Sequence, residues 1–457
     1  MRRTPHGSPD DEGMSLVEVL VAMMIFAVIS TGIIFTMLSM LSVTRDSRAR
    51  QVALNLASEE VDDVRTTGGL FELLDANRSV QVNDTTYHVK RSTRWVTDPG
   101  QDLQCGTSGS AAGSTLRYKR VNVEVTWDNM RSQTVPVRSD TVVSPDSHLN
   151  DPTLGTILVS VLSGDGSGRP GVGVEASVSK PSNGAKPLAV LPAPTDAQGC
   201  SYILKVVPGN YDLTVRLPGY VDHKQNPTGT LTVGVGAGSS ASAGFQYDRA
   251  ATVNVKPEYS GDYVPAPGET VLLPKDLETS FVSSYGTHLL TDGATTATVF
   301  PFSSGYSVLS GKFVAPSDAG AGCIAVDPAR WPIVVDAGTT FGPPAVGPAV
   351  TTPGGTSTTT ALMGVLQVSG SGQYIQAKTT TPQGDDPGCA VPMTYTFKLG
   401  ENSPSVQTIA LPPGSWTIAR GANMNALKSV SQLDLKTRGS VTAAGTIVLD
   451  PRVEVLP

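Results

Sequence analysis

Three residues near the start of the chain have types and a spacing that could do chemistry: Gly13, Met14 and Glu18, in the stretch DEGMSLVEVLVAMMIF. A cut after Gly13 would leave Met14 with a free α-amino group. That amine would sit four residues from the Glu18 carboxylate, about one helical turn away. The two could pair within one chain or between neighbours. The pairing has a physical motive. From Leu16 to Val43 the only ionisable side chain is Glu18, and a charge in hydrocarbon costs about 2.5–3.5 kcal/mol on insertion scales.

The element that must position these residues is a helix. A bilayer core is crossed by about 20 apolar residues, and the run from Leu16 to Val43 exceeds that length. It is too long for the apolar region of an ordinary secretory signal, and no small-x-small cleavage site follows it. Arg2 and Arg3 precede the run while Arg45, Arg48 and Arg50 follow it, so charge alone leaves the orientation open. The helix is expected to continue through TRDSRARQVALNLASEEVDDVRTTGG, with an apolar stripe of Val52, Leu54 or Leu56, Val61 and Val64. Gly68-Gly69 supplies a stop. From Met14 to Arg65 such a rod would have about 52 residues and a length of roughly 78 Å. Its lower half is apolar all round and its upper half amphipathic.

The stretch EGMSLVEVLVAMMIF resembles the N-terminal cleavage and methylation motif of type IV prepilins and type II secretion pseudopilins. That motif has a short leader ending in Gly, an apolar first mature residue, Glu at mature position five, and then an apolar helix. The resemblance makes Gly13 the residue before a prepilin peptidase cut, Met14 the N-methylated terminus, and Glu18 the carboxylate that meets an adjacent subunit's amine. It implies a helix held first in cytoplasmic membrane lipid and later in a filament core, beside other pilin or pseudopilin subunits. Met stands where Phe is commoner, and Asp10, Asp11 and Glu12 make the leader unusually acidic. Neither departure touches the Gly–Glu spacing. The resemblance covers about the first fifty residues. A plain membrane anchor with a juxtamembrane stalk is the reading that the spacing argues against.

Composition bounds the remainder. Of 457 residues, 47 are Gly and 34 Pro, which suits short strands and many turns. The net charge of −7, with no Lys/Arg cluster interleaved with aromatics after the helix, argues against a direct nucleic-acid groove. Residues 68–150 read as a pilin-like α+β or β-rich head. YHVKRSTRWV, YKRVNVEVTWD and RSQTVPVRSDTVVS are its strand candidates, with Val121, Val123, Val125 and Trp127 on one face. The intervening loop carries Cys105.

From 151 a turn motif recurs: VVPGNYDLTVRLPGY, VFPFSSGYSVLSG and ALPPGSWTIARG. Each has an apolar residue, Pro, a Gly turn, and an aromatic that opens an alternating strand. Tyr211, Tyr306 and Trp416 are expected to face inward. The aromatics recur at about a hundred residues, the size of one small β-sandwich. An early strand precedes each turn: GTILVSVL, ATVNVKP and ALMGVLQV. The fold expected is therefore multidomain. A leader (1–13) and a long N-terminal helix (14–67) lead into the head (68–150), and three tandem all-β sandwiches follow (151–248, 249–350, 351–457). The first sandwich resembles the carboxypeptidase regulatory-like, transthyretin-type module through its GRPGVGVEASV hairpin and TDAQG…VPGNY ending. That family implies a rigid seven-stranded spacer, stabiliser or binding surface, and no peptidase activity. The other two share only the turn motif.

The cysteines are Cys105, Cys200, Cys323 and Cys389. An even number in a chain that leaves the cytosol argues for two disulfides. Of three pairings, the one preferred joins Cys323 to Cys389, tying the second and third sandwiches, and Cys105 to Cys200, tying the head to the first; free buried thiols are the alternative. Their spacing excludes a CxxC metal knuckle.

The search for catalysis returns little. His6, His88, His148, His223 and His288 lie in no HExxH pattern and near no GxSxG elbow. GVGAGSSASAG, from Gly234, lacks the Lys and helix of a phosphate loop and reads as a flexible connection. SGDGSG around Asp165 offers one carboxylate where calcium loops need several. TTPGGTSTTT, at 351–360, reads as a linker. No catalytic residue, metal or cofactor is expected.

Two functions of different class follow. The first is a non-enzymatic minor pilin or pseudopilin, starting as a single-pass protein and ending in a cell-surface filament, with the sandwiches displayed for adhesion or for priming assembly. The bulk of the extension suits a rare or tip subunit. The second is an anchored surface protein that binds carbohydrate or another surface ligand through its sandwiches. It predicts exposed aromatics along one sandwich edge, and the chain has few aromatics.

Overall fold

The computed structural model describes residues 16–67, 69–98, 102–103, 115–130, 134–144, 151–315 and 322–455. One helix, α1 (Leu16–Thr66), runs 51 residues without a break. No Pro or Gly interrupts it except Gly32, and its β-branched residues are offset by Leu, Met and Ala, good helix formers. Below Val43 its apolar side chains are exposed on every side, Leu16 at 77% and Phe35 at 76%. Higher up, Ala49, Ala53, Leu56, Ala57, Val61 and Val64 are buried, at steps of three and four that keep one face on the head. Leu54 is 43% exposed, so the stripe runs through Leu56. Three of its members are alanines, which let helix and sheet approach closely.

The chain divides into two compact units, the first holding α1 and the head. The head sheet has β1 (Ala76–Val82), β2 (Thr85–Asp98), β3 (Asp102–Leu103), β4 (Thr115–Trp127) and β5 (Val137–Val143). Its order is β1-β2-β4-β5, with β3 on β2, antiparallel throughout. Val121, Val123, Val125 and Trp127 are all buried against α1, with Tyr87 and Val89 of β2 beside them. Their alternation with polar residues is the period-two pattern of a sheet covered on one face. β1, ANRSVQV, has only three apolar side chains, one of them the small Ala76, and periodicity did not single it out.

The second unit, from Asn150 onward, is all β. It opens with β6 (Gly155–Leu162), β7 (Gly173–Val178), β8 (Cys200–Val206), β9 (Gly209–Arg216), β10 (Tyr220–Asp222), β11 (Thr228–Val235) and β12 (Ser240–Arg249). They form two sheets, β10-β12-β6-β8 and β11-β9-β7. Ile157, Val159, Val161, Tyr211, Leu213, Val215 and Tyr247 fill the space between them. GRPGVGVEASV makes no hairpin of paired strands: β6 and β7 lie in different sheets, so the segment crosses between layers. The supposed flexible connection at Gly234 is mostly strand, and only residues 236–239 join β11 to β12.

Next come β13 (Ala251–Tyr259), β14 (Val271–Leu272), β15 (Thr279–Ser283), β16 (Gly286–Leu290), β17 (Thr296–Val299), β18 (Ser307–Ser310), β19 (Val334–Asp336) and β20 (Thr339–Gly342). The last group is β21 (Thr356–Ser369), β22 (Tyr374–Thr379), β23 (Thr394–Lys398), β24 (Val406–Leu411) and β25 (Gly414–Gly421). After them run β26 (Lys428–Ser429), β27 (Leu433–Leu435), β28 (Gly439–Val441), β29 (Thr446–Leu449) and β30 (Val453–Glu454).

The expected break at 350 does not separate sheets. β21 pairs in parallel with β13 along Thr356–Met363, then antiparallel with β24 along Gly364–Ser369. β14 also pairs with β24, and β20 with β30. One long strand therefore serves two cores. Val253, Phe281, Val299, Tyr306 and Ala361 lie in one; Leu366, Val368, Ile375, Tyr395, Trp416 and Leu449 lie in the other. The Thr run read as a linker is the first half of this strand. β-Branched residues fit a pleated surface, and the ladder from β13 holds them there.

Candidate functional site: the N-terminal helix and the units that carry it

Gly13 and Met14 lie outside the described residues, as does the Glu18 side chain; the backbone at Glu18 belongs to the first turn of α1. What can be described is the rod that follows. Val19–Thr66 holds a window of mean hydropathy 2.5, none of it buried. By length and composition it can cross a membrane. Small side chains do not disturb it: Thr31, Thr36 and Thr44 return their hydroxyls to the carbonyls of Ala27, Gly32 and Met40, at 2.7, 2.8 and 2.9 Å.

A buried acidic residue that periodicity did not single out helps to fasten the rod to its head. Glu60 is 5% exposed. Its Oε1 accepts from Arg91 Nη1 at 2.9 Å and its Oε2 from Arg78 Nε at 2.9 Å. Arg91 also donates Nε to the Leu74 carbonyl at 3.0 Å. A buried carboxylate satisfied by two guanidinium groups fixes rotation and height of the helix on the sheet. Behind it Lys119, 1% exposed, donates to the Leu73 carbonyl at 2.5 Å and lies 5.4 Å from the Trp95 ring centre.

In the second unit the three turn aromatics are fully covered: Tyr211 at 0%, Tyr306 at 1% and Trp416 at 0% exposure. Each closes its own turn. Tyr211 OH lies 2.8 Å from the Val207 carbonyl, Trp416 Nε1 donates to the Pro412 carbonyl at 2.9 Å, and Tyr306 OH donates to the Phe300 carbonyl at 2.7 Å. Gly209, at φ +148°, is where no side chain fits, since a Cβ would stand 2.2 Å from the Ala185 nitrogen. Burial pushes Tyr306 well above the usual tyrosine range. These rings are corner pegs of the kind seen in β-sandwiches.

Cys323 and Cys389 are joined by a disulfide that spans 66 residues of sequence. Cys200 is buried and disulfide-bonded; Cys105 lies outside the described residues. Among the histidines, His6 and His148 also lie outside them. His88 sits between Ser79 Oγ and Asp128 Oδ1, each at 3.1 Å. His223 packs on Tyr285 with ring centres 4.9 Å apart, and burial lowers its pKa, as it does that of His288. Ser79, His88 and Asp128 thus line up as hydroxyl, imidazole and carboxylate, but the His88 and Asp128 side chains are 51% and 52% exposed, so water competes for both bonds and the row lies on an open surface. Asp165 is satisfied by its own loop: it accepts from Ser163 Oγ, from Ser167 N at 3.0 Å and from Ser167 Oγ at 2.7 Å, which hold its carboxyl far below the usual range. Among the described residues no group of three or more His, Cys, Asp or Glu is placed to hold a metal.

No curated protein matches the chain. Among solved structures, the Bacillus anthracis TIE protein is similar at 12% identity, over 80% of this chain and 71% of that one, with a TM-score of 0.19. A Streptococcal ancillary pilin is similar at 10% identity, over 54% of this chain and 76% of that one, also with a TM-score of 0.19. At such scores neither likeness bears on fold or function. Residues 9–34 match the family described as the prokaryotic N-terminal methylation motif, a span that contains Gly13, Met14 and Glu18.

Proposed function

We propose that the protein is a non-enzymatic pilin-type subunit, cut after Gly13 by a prepilin peptidase and methylated on Met14. The N-terminal methylation motif over residues 9–34 carries this reading. The exposed apolar rod that follows supports it. Before assembly the rod is held by lipid of the cytoplasmic membrane. Afterwards it packs against the rods of other pilin or pseudopilin subunits, and the Glu18 carboxylate pairs with a neighbour's terminal amine. Repeated heterologous contacts that do not close into a ring generate a helical filament.

The body makes the subunit a minor one. Some 300 residues follow the head in sequence, and they would have to be accommodated around a filament if every subunit carried them. A rare or tip position avoids that crowding and suits display for adhesion or for priming assembly. The first seven-stranded sandwich, with its two facing sheets, serves as the rigid spacer that a carboxypeptidase regulatory-like module would supply. The competing reading, a simple anchor bearing a carbohydrate-binding face lined with aromatics, gains little from the body. Its turn aromatics are buried, and Tyr285, at 50%, is the large exposed aromatic among the described residues of that unit.

Mass spectrometry of the native N-terminus is the test. A mature chain beginning at Met14 with an added methyl group is expected. Native protein that still carries residues 1–13 would overturn the reading.

A further inference from the structure

A groove of about 500 Å³ in the second unit is lined by two cations that the protein leaves without a counter-charge. Arg420, on β25, is 5% exposed. Its guanidinium meets only backbone carbonyls: Nε donates to Gly372 at 3.2 Å, Nη1 to Ser405 at 2.7 Å and Val368 at 3.3 Å, and Nη2 to Pro404 at 3.2 Å. Carbonyls satisfy N–H groups but carry no net charge. The other arginine buried to the same degree in this unit, Arg452, lies against the carboxylates of Asp450 and Asp385, at 2.8 and 3.1 Å. Among the described residues Arg420 has no such partner, and burial pushes its pKa down. Buried charges are ordinarily paired, so an unneutralised guanidinium beside an open groove asks for an anion.

Lys428 stands opposite Arg420 in the β25–β26 ladder, is exposed, and likewise has no carboxylate partner among the described residues. No Asp or Glu lines the groove. Its walls carry Ser369, Ser371, Ser429 and Ser431, whose hydroxyls find no hydrogen-bond partner among the described residues. The floor stays bare because Gly372, at φ +111°, lies backbone to backbone on Gly421; a Cβ there would stand 2.2 Å from the Gly421 carbonyl carbon.

We propose that this groove binds an acidic saccharide, its carboxylate facing Arg420 and Lys428 and its hydroxyls facing the four serines. The volume falls in the range of small-molecule sites. An acidic peptide would meet the same cations. However, the groove offers hydroxyls on several sides beside its two cations, and these match a polyol that carries a carboxylate. The site rests on the second unit alone, so its failure would leave the reading of the N-terminal motif standing.

Titration calorimetry on the full chain in detergent micelles, with glucuronate and N-acetylneuraminate as probes, tests the proposal. Both acids are expected to bind, glucose to bind at least tenfold more weakly, and affinity to fall as salt rises. Lys428→Glu, at an exposed position, should weaken binding at least tenfold in a protein whose circular dichroism is unchanged. Arg420→Gln risks the fold, so Ser371→Leu serves as the second variant and should also abolish binding by occupying the groove. Glucose binding as well as glucuronate, a tetraglutamate peptide binding more tightly than either acid, or full affinity in Lys428→Glu would each overturn it.

Discussion

Glu60 of the helix and Arg91 of the head sheet meet at 2.9 Å, from positions 31 residues apart in sequence. Glu60 is 6% exposed at the side chain and Arg91 16%. Removing the carboxylate would leave Arg91 half-desolvated, with Asp63 at 3.7 Å as its remaining acidic neighbour. Breaking a buried pair from one side costs about 3–5 kcal/mol. Because Arg91 keeps some solvent, the expected loss for Glu60→Ala is near the lower end, about 3 kcal/mol. Arg78, 40% exposed at the side chain, should matter less; Arg78→Ala is expected to cost under about 1 kcal/mol. Hydrogen exchange of β1 and β2 amides reads this directly: protection should fall by about a hundredfold for Glu60→Ala, and severalfold at most for Arg78→Ala.

Why Glu60 was not legible in the sequence is instructive. It sits in SEEVDDV among three other acids, and an acid on a helix is ordinarily a solvated face. What buries it is the arrival of Arg78 and Arg91 from strands that pair only in the folded head. Ala49, Ala53 and Ala57 escaped for a related reason: a small side chain gives a weak periodic signal, whereas Val61 and Val64 stood out. By contrast Tyr211, Tyr306 and Trp416 were legible because the cause of their position is local. Each follows its own Pro–Gly turn, and the hydrogen bond that fixes it returns to a carbonyl four to six residues back. The Thr run at 356–360 went the other way. Its strand comes from a partner a hundred residues upstream, β13, which no short window contains.

The corner pegs predict a graded series. Trp416→Ala removes a fully buried ring and should cost about 3–5 kcal/mol. Tyr211→Phe keeps the ring but strips the Val207 carbonyl and the Lys186 amide of their partner, for about 1–2 kcal/mol. Tyr285→Phe, at a half-exposed position, should stay within about 0.5 kcal/mol of the parent. Guanidinium midpoints on the full chain in micelles rank the three. An order in which Tyr285→Phe exceeds Tyr211→Phe would refute the corner role.

Acid stability should depend on Glu269. Its carboxylate accepts from the Ala266 amide at 3.0 Å, Thr408 Oγ1 at 2.7 Å and Tyr263 OH at 2.8 Å. These bonds, the amide's first, bring its pKa from 4.5 down to about 2. The folded value lies below the unfolded one, so the stabilisation is fully present above pH 4.5 and is lost as pH falls towards 2. Glu269→Gln should therefore lower stability at neutral pH and flatten the acid-unfolding curve between these limits. Burial first, and then the same contact, raise Tyr263 to about 12. A variant whose acid transition keeps the parent's slope would show that the carboxylate does not carry that part of the curve.

The Cys323–Cys389 bond closes 66 residues, for which chain entropy predicts a contribution of about 4 kcal/mol. Reductant would also attack the bond at Cys200, so the double variant Cys323→Ala, Cys389→Ala isolates this one. A lower guanidinium midpoint is expected, with the head unaffected. Equal midpoints for parent and variant would mean that the core around Trp416 holds the 322–326 segment by packing alone.

The last prediction concerns Glu18. In hydrocarbon its carboxylate costs about 2.5–3.5 kcal/mol, so Glu18→Leu should insert in the membrane at least as well as the parent. Under the proposed pairing, the terminal amine of a neighbouring subunit would then lose its partner and remain an uncompensated charge among the apolar rods. Assembly is therefore expected to suffer while insertion does not. Two measurements separate these effects: membrane fractionation, which should be unchanged, and the share of the protein recovered in sheared filaments when it is expressed with its sister subunits. A fall of tenfold or more is expected there, since an unpaired ammonium in a dry interface costs more than the 1.4 kcal/mol that a factor of ten represents. The proposed cleavage after Gly13 should continue in the variant, since the altered residue lies past the cut bond. Normal recovery in filaments would show that the carboxylate is tolerated in the rod for some other reason than an amine.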